Sequence, residues 1–252
     1  MQILNILETR RTEGKKSIAV LVDPDKVGSP EQLNPLIRLA NENCVDFFFV
    51  GGSLVTTTNL GDVIKHIKKN TSIPVLIFPG SSLQIDPSAD ALLFLSLISG
   101  RNPDLLIGQH VIAAPILKNN KLEVIPTGYI LINSGKTTSV AYISNTTPIP
   151  EDKYSLAACT ALAGEMLGLR LIYLDAGSGA ENEINAKMIN TVRKTVKAPL
   201  IVGGGINTSR KAIAALDAGA DVIVIGNALE KDPNLLTEIS DKVYDWNQSI
   251  AH

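Results

Sequence analysis

Pro199-Leu200-Ile201-Val202-Gly203-Gly204-Gly205-Ile206, a helical stretch over Ser209–Ala218, and then Asp221-Val222-Ile223-Val224-Ile225-Gly226-Asn227 decide the fold. Together they form one strand, its crossover helix and the next strand. Both strands run hydrophobic without alternation, as parallel strands do when each face is covered. Working outward, runs of the same kind stand at Ser17–Val22, Asp46–Val50, Ile73–Phe78, Ala91–Leu95, Gly128–Ile132 and Arg170–Leu174, which makes eight candidate strands. Helical patterns separate most of them: Glu31–Asn43, Asn59–Lys69, Pro103–Leu117, Tyr154–Leu167 and Asn182–Val196. Eight such units in about 250 residues match an α/β fold of the (β/α)8 TIM-barrel type, whereas a doubly wound sheet needs fewer strands. One unit departs from the pattern. Pro79–Asp90 holds two prolines and several small residues, which leaves no room for a crossover helix. The expectation is a modified barrel whose third helix is replaced by an extended segment, with residues 1–252 forming a single domain.

Composition narrows the function. With 23 Lys and Arg against 25 Asp and Glu and no basic block, the chain offers no surface dedicated to nucleic acid or anionic lipid. Cys44 and Cys159 are far apart and form neither a disulfide framework nor a CxxC site. Residues 1–11 read as a short amphipathic helix and lack the features of a secretion signal. The greasy stretches Ala91–Ile98 and Leu105–Leu117 are separated by Arg101, Asn102 and Asp104, so neither reaches the roughly 18 apolar residues of a membrane span. A cytoplasmic protein without a transmembrane segment is expected.

Barrels of this type carry their chemistry at the C-terminal ends of the strands. Gly203-Gly204-Gly205 and Gly226-Asn227 follow the seventh and eighth strands, where such folds most often bind phosphate, and Gly177-Ser178-Gly179 follows the sixth. Each alone is equally a tight turn. Asp23 ends the first strand, where a hard oxygen can hold Mg²⁺, or where Asp23-Pro24 simply starts a turn. Ser53, closing Gly51-Gly52-Ser53, can ligate the same ion or cap a helix. Asp175 is the second mouth carboxylate, placed to orient or deprotonate a substrate hydroxyl, or to serve its turn. His66, His110 and His252 have no metal-ligand spacing, and no serine sits in a GxSxG elbow. Gly135-Lys136-Thr137 lacks the first glycine of a P-loop, because position 130 is Ile130. Lys136 reads as a loop lysine that can still face the mouth.

Taken jointly, Leu21-Val22-Asp23-Pro24-Asp25-Lys26, Phe49-Val50-Gly51-Gly52-Ser53, Tyr173-Leu174-Asp175-Ala176-Gly177-Ser178-Gly179, Gly203-Gly204-Gly205-Ile206 and Gly226-Asn227 resemble the geranylgeranylglyceryl phosphate synthase family, in its branch found in archaea and some bacteria. The match runs from about residue 17 to residue 230. The resemblance implies a barrel lacking a normal third helix, Mg²⁺ as cofactor, and ether-bond transfer of geranylgeranyl from its diphosphate to the C3 hydroxyl of sn-glycerol 1-phosphate. It assigns Mg²⁺ to Asp23 and Ser53. To glycerol 1-phosphate it assigns Tyr173, Leu174, Asp175, Ala176, Gly177, Ser178, Gly179, Gly204, Gly205, Gly226 and Asn227, with Asp175 catalytic. It also implies a homo-oligomer, dimer or hexamer. Asp175 stands where the family has Glu or Asp, and Leu21 replaces a lysine of a related branch. The DDxxD motif of chain-elongating prenyl synthases is absent. Another phosphate-binding barrel, such as a sugar-phosphate isomerase or an FMN oxidoreductase, or a non-catalytic phosphate sensor, shares the glycine loops but not the set.

Overall fold

The computed structural model describes residues 2–250. Its elements in chain order are α1 (Ile3–Thr12), β1 (Ser17–Val22), α2 (Asn34–Glu42), β2 (Phe47–Val50), α3 (Leu60–Asn70), β3 (Val75–Ile77), β4 (Ala91–Leu97), α4 (Gln109–Lys118), β5 (Glu123–Leu131), α5 (Ser139–Ser144), α6 (Tyr154–Met166), β6 (Leu171–Asp175), α7 (Ala186–Thr195), β7 (Leu200–Gly203), α8 (Ser209–Asp217), β8 (Val222–Ile225), α9 (Ala228–Lys231) and α10 (Asn234–Ile250). The strands close in sequence order, and β1 pairs parallel with β8 through Ser17↔Val222 to Val20↔Ile225.

Closure explains the unbroken hydrophobic runs. Alternate residues of each strand face opposite sides, and in a barrel both sides are covered. Ala19, Phe47, Phe49, Leu76, Leu93, Tyr173, Ile201 and Val224 pack inside the barrel. Their neighbours Val20, Phe48, Ile77, Leu92, Leu174, Val202 and Ile223 pack outward against the helices. Ile3 and Leu7, one turn apart on α1, join the interior cluster and plug its N-terminal end. The Glu123 carboxylate accepts from the backbone N–H groups of Ile3 and Leu4, the positive end of that helix.

Between β3 and β4 there is no helix, as the prolines required. The segment that replaces it carries two turns, at 82–83 and 87–88. Gln84, buried in its middle, accepts from the Gly80 N–H at 3.2 Å and donates to the Gly52 carbonyl at 3.1 Å, which folds the segment back onto the β2 loop. A second departure lies at Pro103–Leu117. The expected single helix begins with a π-helical turn over Asp104–Gly108 before α4 proper.

Candidate active site

Inward alternation on β6 places Tyr173 in the barrel core and Asp175 at its mouth. The Asp175 carboxylate is only 6% exposed. One oxygen accepts from the Gly177 backbone N–H at 2.8 Å, the other from the Tyr129 hydroxyl. Burial pushes its pKa up, and these two bonds pull it partway back. A carboxylate has about four lone-pair positions, so a substrate hydroxyl can still donate to it.

Three glycine loops surround this carboxylate. Gly177, Gly179, Gly204 and Gly205 all have positive φ. A Cβ on Gly204 would lie 2.7 Å from the Gly177 nitrogen and 2.8 Å from an Asp175 oxygen, so only glycine lets the β6 and β7 loops meet. From the β8 loop, Asn227 donates to the Ser178 hydroxyl at 3.2 Å. Lys26 donates to the Asn227 side chain at 2.6 Å and pairs with Glu230 at 2.9 Å. The result is a mouth cavity of about 1070 Å³ rimmed by glycine loops, hydroxyls and charged side chains.

Across the mouth, Asp23 caps the turn Pro24–Lys26 by accepting from the Asp25 N–H at 3.1 Å. Its other oxygen takes no hydrogen bond among the described residues. Burial pushes its pKa up, against the pull of the Asp25 backbone bond and Lys26. Asp25 in turn accepts from the N–H and hydroxyl groups of Thr56 and Thr57, which hold its pKa down at about 2. That clamp fastens the loop carrying Ser53 to the turn carrying Asp23. Among the described residues no cluster of three His, Cys, Asp or Glu cages a metal. Half-buried Asp23 and Ser53 line the same mouth, a sparse oxygen set of the kind that suits Mg²⁺, which keeps several of its waters.

A second cavity, about 320 Å³, opens where the third helix is missing. Leu92, Leu93, Phe94 and Leu95 of β4 form one wall, and Leu105, His110 and Ala113 form the other. Gly52, Ser53, Phe78 and Ile143 border both cavities.

Of the residues singled out in the sequence, Asp23, Ser53, Tyr173, Asp175, Gly177, Ser178, Gly179, Gly204, Gly205, Gly226 and Asn227 line the mouth, and Lys136 stands in its wall. Leu174 and Ala176 do not: their side chains are buried in the layer between barrel and helices. Tyr129, Gln84 and Phe78 went unrecognised, and Lys26 was named in the motif after the first strand without a role of its own. Tyr129 pairs in register with Tyr173 and so shares its inward face.

Fold and mouth define a (β/α)8 barrel with glycine loops after its last three strands, two mouth carboxylates and a side groove. Residues 10–243 match the PcrB family. The chain is 55% identical over 248 residues to the geranylgeranylglyceryl phosphate synthase of Spirosoma linguale, covering 98% of this chain and 99% of that one. It is 43% identical over 241 residues to the enzyme of that name from Thermococcus kodakarensis, covering 95% and 94%. The crystal structure of (S)-3-O-geranylgeranylglyceryl phosphate synthase from Thermoplasma acidophilum, in complex with substrate sn-glycerol-1-phosphate, superposes with a TM-score of 0.91 at 34% identity over 97% and 99% of the two chains. The chain belongs to the PcrB family of geranylgeranylglyceryl phosphate synthases, and it is an enzyme.

Proposed function

We propose that this enzyme joins geranylgeranyl diphosphate to the C3 hydroxyl of sn-glycerol 1-phosphate with Mg²⁺ as cofactor, giving geranylgeranylglyceryl phosphate and diphosphate. The observation that carries the reading is the meeting of two unlike cavities at Gly52, Ser53 and Phe78. A mouth with glycine loops and charged side chains suits a phosphate, a groove walled by leucines and a phenylalanine suits a prenyl tail, and their junction is where the reacting carbon must lie. Asp23 and Ser53 would hold Mg²⁺ at that junction. The bound ion would neutralise the leaving diphosphate. The loops after β6, β7 and β8 offer backbone N–H groups to the glycerol phosphate and fix its hydroxyl near Asp175. Asp175, its basicity raised by burial, accepts the hydroxyl proton as the new C–O bond forms.

No helix among the described residues is long and apolar enough to cross a membrane. Two free cysteines suit a reducing cytoplasm. Exposed Ile107, Val111, Ile112 and Ile116 along α4 and its leading turn support self-association as a dimer or hexamer.

The test is Mg²⁺-dependent transfer from a graded series of prenyl diphosphates to radiolabelled sn-glycerol 1-phosphate. Wild type should yield an organic-extractable product, lost on Asp23→Asn or with chelator. A folded protein that binds glycerol phosphate but makes no product with any donor would reject the reading.

A further inference from the structure

Phe78 follows β3 directly, at the position where a normal barrel would enter its third crossover helix. With that helix absent, the ring is only partly buried and borders both cavities. It stacks on Tyr173 with centroids 5.2 Å apart and planes 22° apart, and lies 5.9 Å from the Tyr129 ring. Tyr129 and Tyr173 close the set at 5.5 Å, near perpendicular. Phe49 lies 6.5 Å from the Phe78 ring on a further side, so four of the chain's aromatics, five Phe, five Tyr and one Trp in all, converge here. Both tyrosines are buried, Tyr129 bordering only the groove and Tyr173 only the mouth, whereas half-buried Phe78 alone of the three borders both. A leucine would pack there as well. What leucine lacks is the negative ring face that attracts a desolvated cation.

We propose that Phe78 is a catalytic residue whose ring face stabilises the positive charge that develops on the allylic carbon during prenyl transfer. This rests on the prenyl-transfer reading above. In the step itself, the bond from the allylic C1 to the diphosphate oxygen breaks and both electrons leave with diphosphate. The glycerol C3 oxygen supplies the pair for the new bond, and its proton passes to Asp175. Phe78 forms no bond; it lowers the energy of the charge in transit. Tyr173 fixes the ring's tilt from behind, and Tyr129 couples that stack to the carboxylate that takes the proton.

Phe78→Leu should lower kcat by about 10- to 30-fold, the range a desolvated cation–ring attraction provides, while KM for glycerol 1-phosphate stays put. Phe78→Tyr should restore most of the rate. A readout independent of turnover separates charge stabilisation from simple shape. Two probes are titrated against each variant: an ammonium analogue of the geranylgeranyl cation together with inorganic diphosphate, and the uncharged-at-C1 geranylgeranyl thiolodiphosphate. Wild type and Phe78→Tyr should favour the ammonium analogue, and Phe78→Leu should lose that preference while binding the thiolodiphosphate as before. Equal weakening of both probes, or an unchanged preference, would reduce Phe78 to a shaping residue and overturn the proposal with prenyl transfer intact. Failure of wild type to bind either prenyl probe would remove the prenyl-transfer reading and this inference together.

Discussion

Asp175 carries its charge against the tendency of its surroundings. Its folded pKa lies above the unfolded value because burial outweighs the bonds from Tyr129 and Gly177. For a carboxylate with that sign, the folded state holds the proton more tightly. Stability is then fully present below the unfolded pKa and is lost as pH rises through the folded one. At neutral pH the residue therefore costs stability. Asp175→Asn removes that cost while keeping both partners, since the amide oxygen can accept from Gly177 and the amide nitrogen can donate to the Tyr129 oxygen. The variant should melt at a higher temperature than wild type at neutral pH. The difference should vanish in acid. Transfer should fall by about 10²- to 10⁴-fold, the usual worth of a positioned base. Tyr129→Phe takes away a bond that lowers the Asp175 pKa, so the acid limb of the kcat/KM profile should move to higher pH. A profile unchanged by Tyr129→Phe would show that the limb belongs to another group. Asp175 could be read from the sequence because it ends a strand. Tyr129 could not be singled out, because its role depends on a hydroxyl reaching the next strand, which only register reveals.

The element that shapes the groove is the one the fold omits. Prolines at 79 and 87 made the loss of the third helix legible, but nothing in the sequence pattern showed that Gln84 would tie the replacement segment to Gly52. Such a tie is a long-range contact between two irregular segments, and periodicity carries no information about it. Leu174 and Ala176 show what a motif leaves out about side-chain direction. A motif names consecutive residues, whereas the pleat sends alternate side chains to opposite faces, so half of a strand-end motif belongs to packing. On the far wall of the groove, the π turn at Asp104–Gly108 leads into α4, which turns Ala113 toward β4. Ala113→Trp should fill that end of the groove. Donors with the longest tails should then lose transfer, while the shortest keep near wild-type rates, as a competition assay with mixed donors would show. Overpacking should also cost about 1–3 kcal/mol of stability. Uniform loss across all donor lengths would mean that the tail runs elsewhere.

At the scale of the whole molecule the barrel divides into an end that reacts and an end that holds. Glycine loops gather at the C-terminal mouth, while the opposite end is closed by α1, α10 and a network of paired charges. There Arg193 meets Asp221 at 2.8 Å, with side chains only 16% and 11% exposed. The same Asp221 carboxylate accepts from the Leu200 N–H at 2.8 Å and so anchors the start of β7. Lys16 donates to the Ala220 carbonyl beside it and lies over the Trp246 ring of α10. Burial pushes the Asp221 pKa up, while the Leu200 bond, Arg193 and Lys16 oppose it. Removing one partner of such a pair leaves the other charge buried without compensation, a larger loss than the pair's own net contribution. Asp221→Ala should thus cost about 3–5 kcal/mol. Melting followed by circular dichroism should fall on the order of 10 °C. Because the barrel wall separates this network from the mouth, kcat and both KM values of the protein still folded well below its melting point should match wild type. Phe78→Leu should show the reverse, near-native melting with slow transfer. If Asp221→Ala instead lowers kcat in fully folded protein, the bottom network is coupled to the chemistry through β7 and the Gly204-Gly205 loop, and the division of labour between the two ends fails.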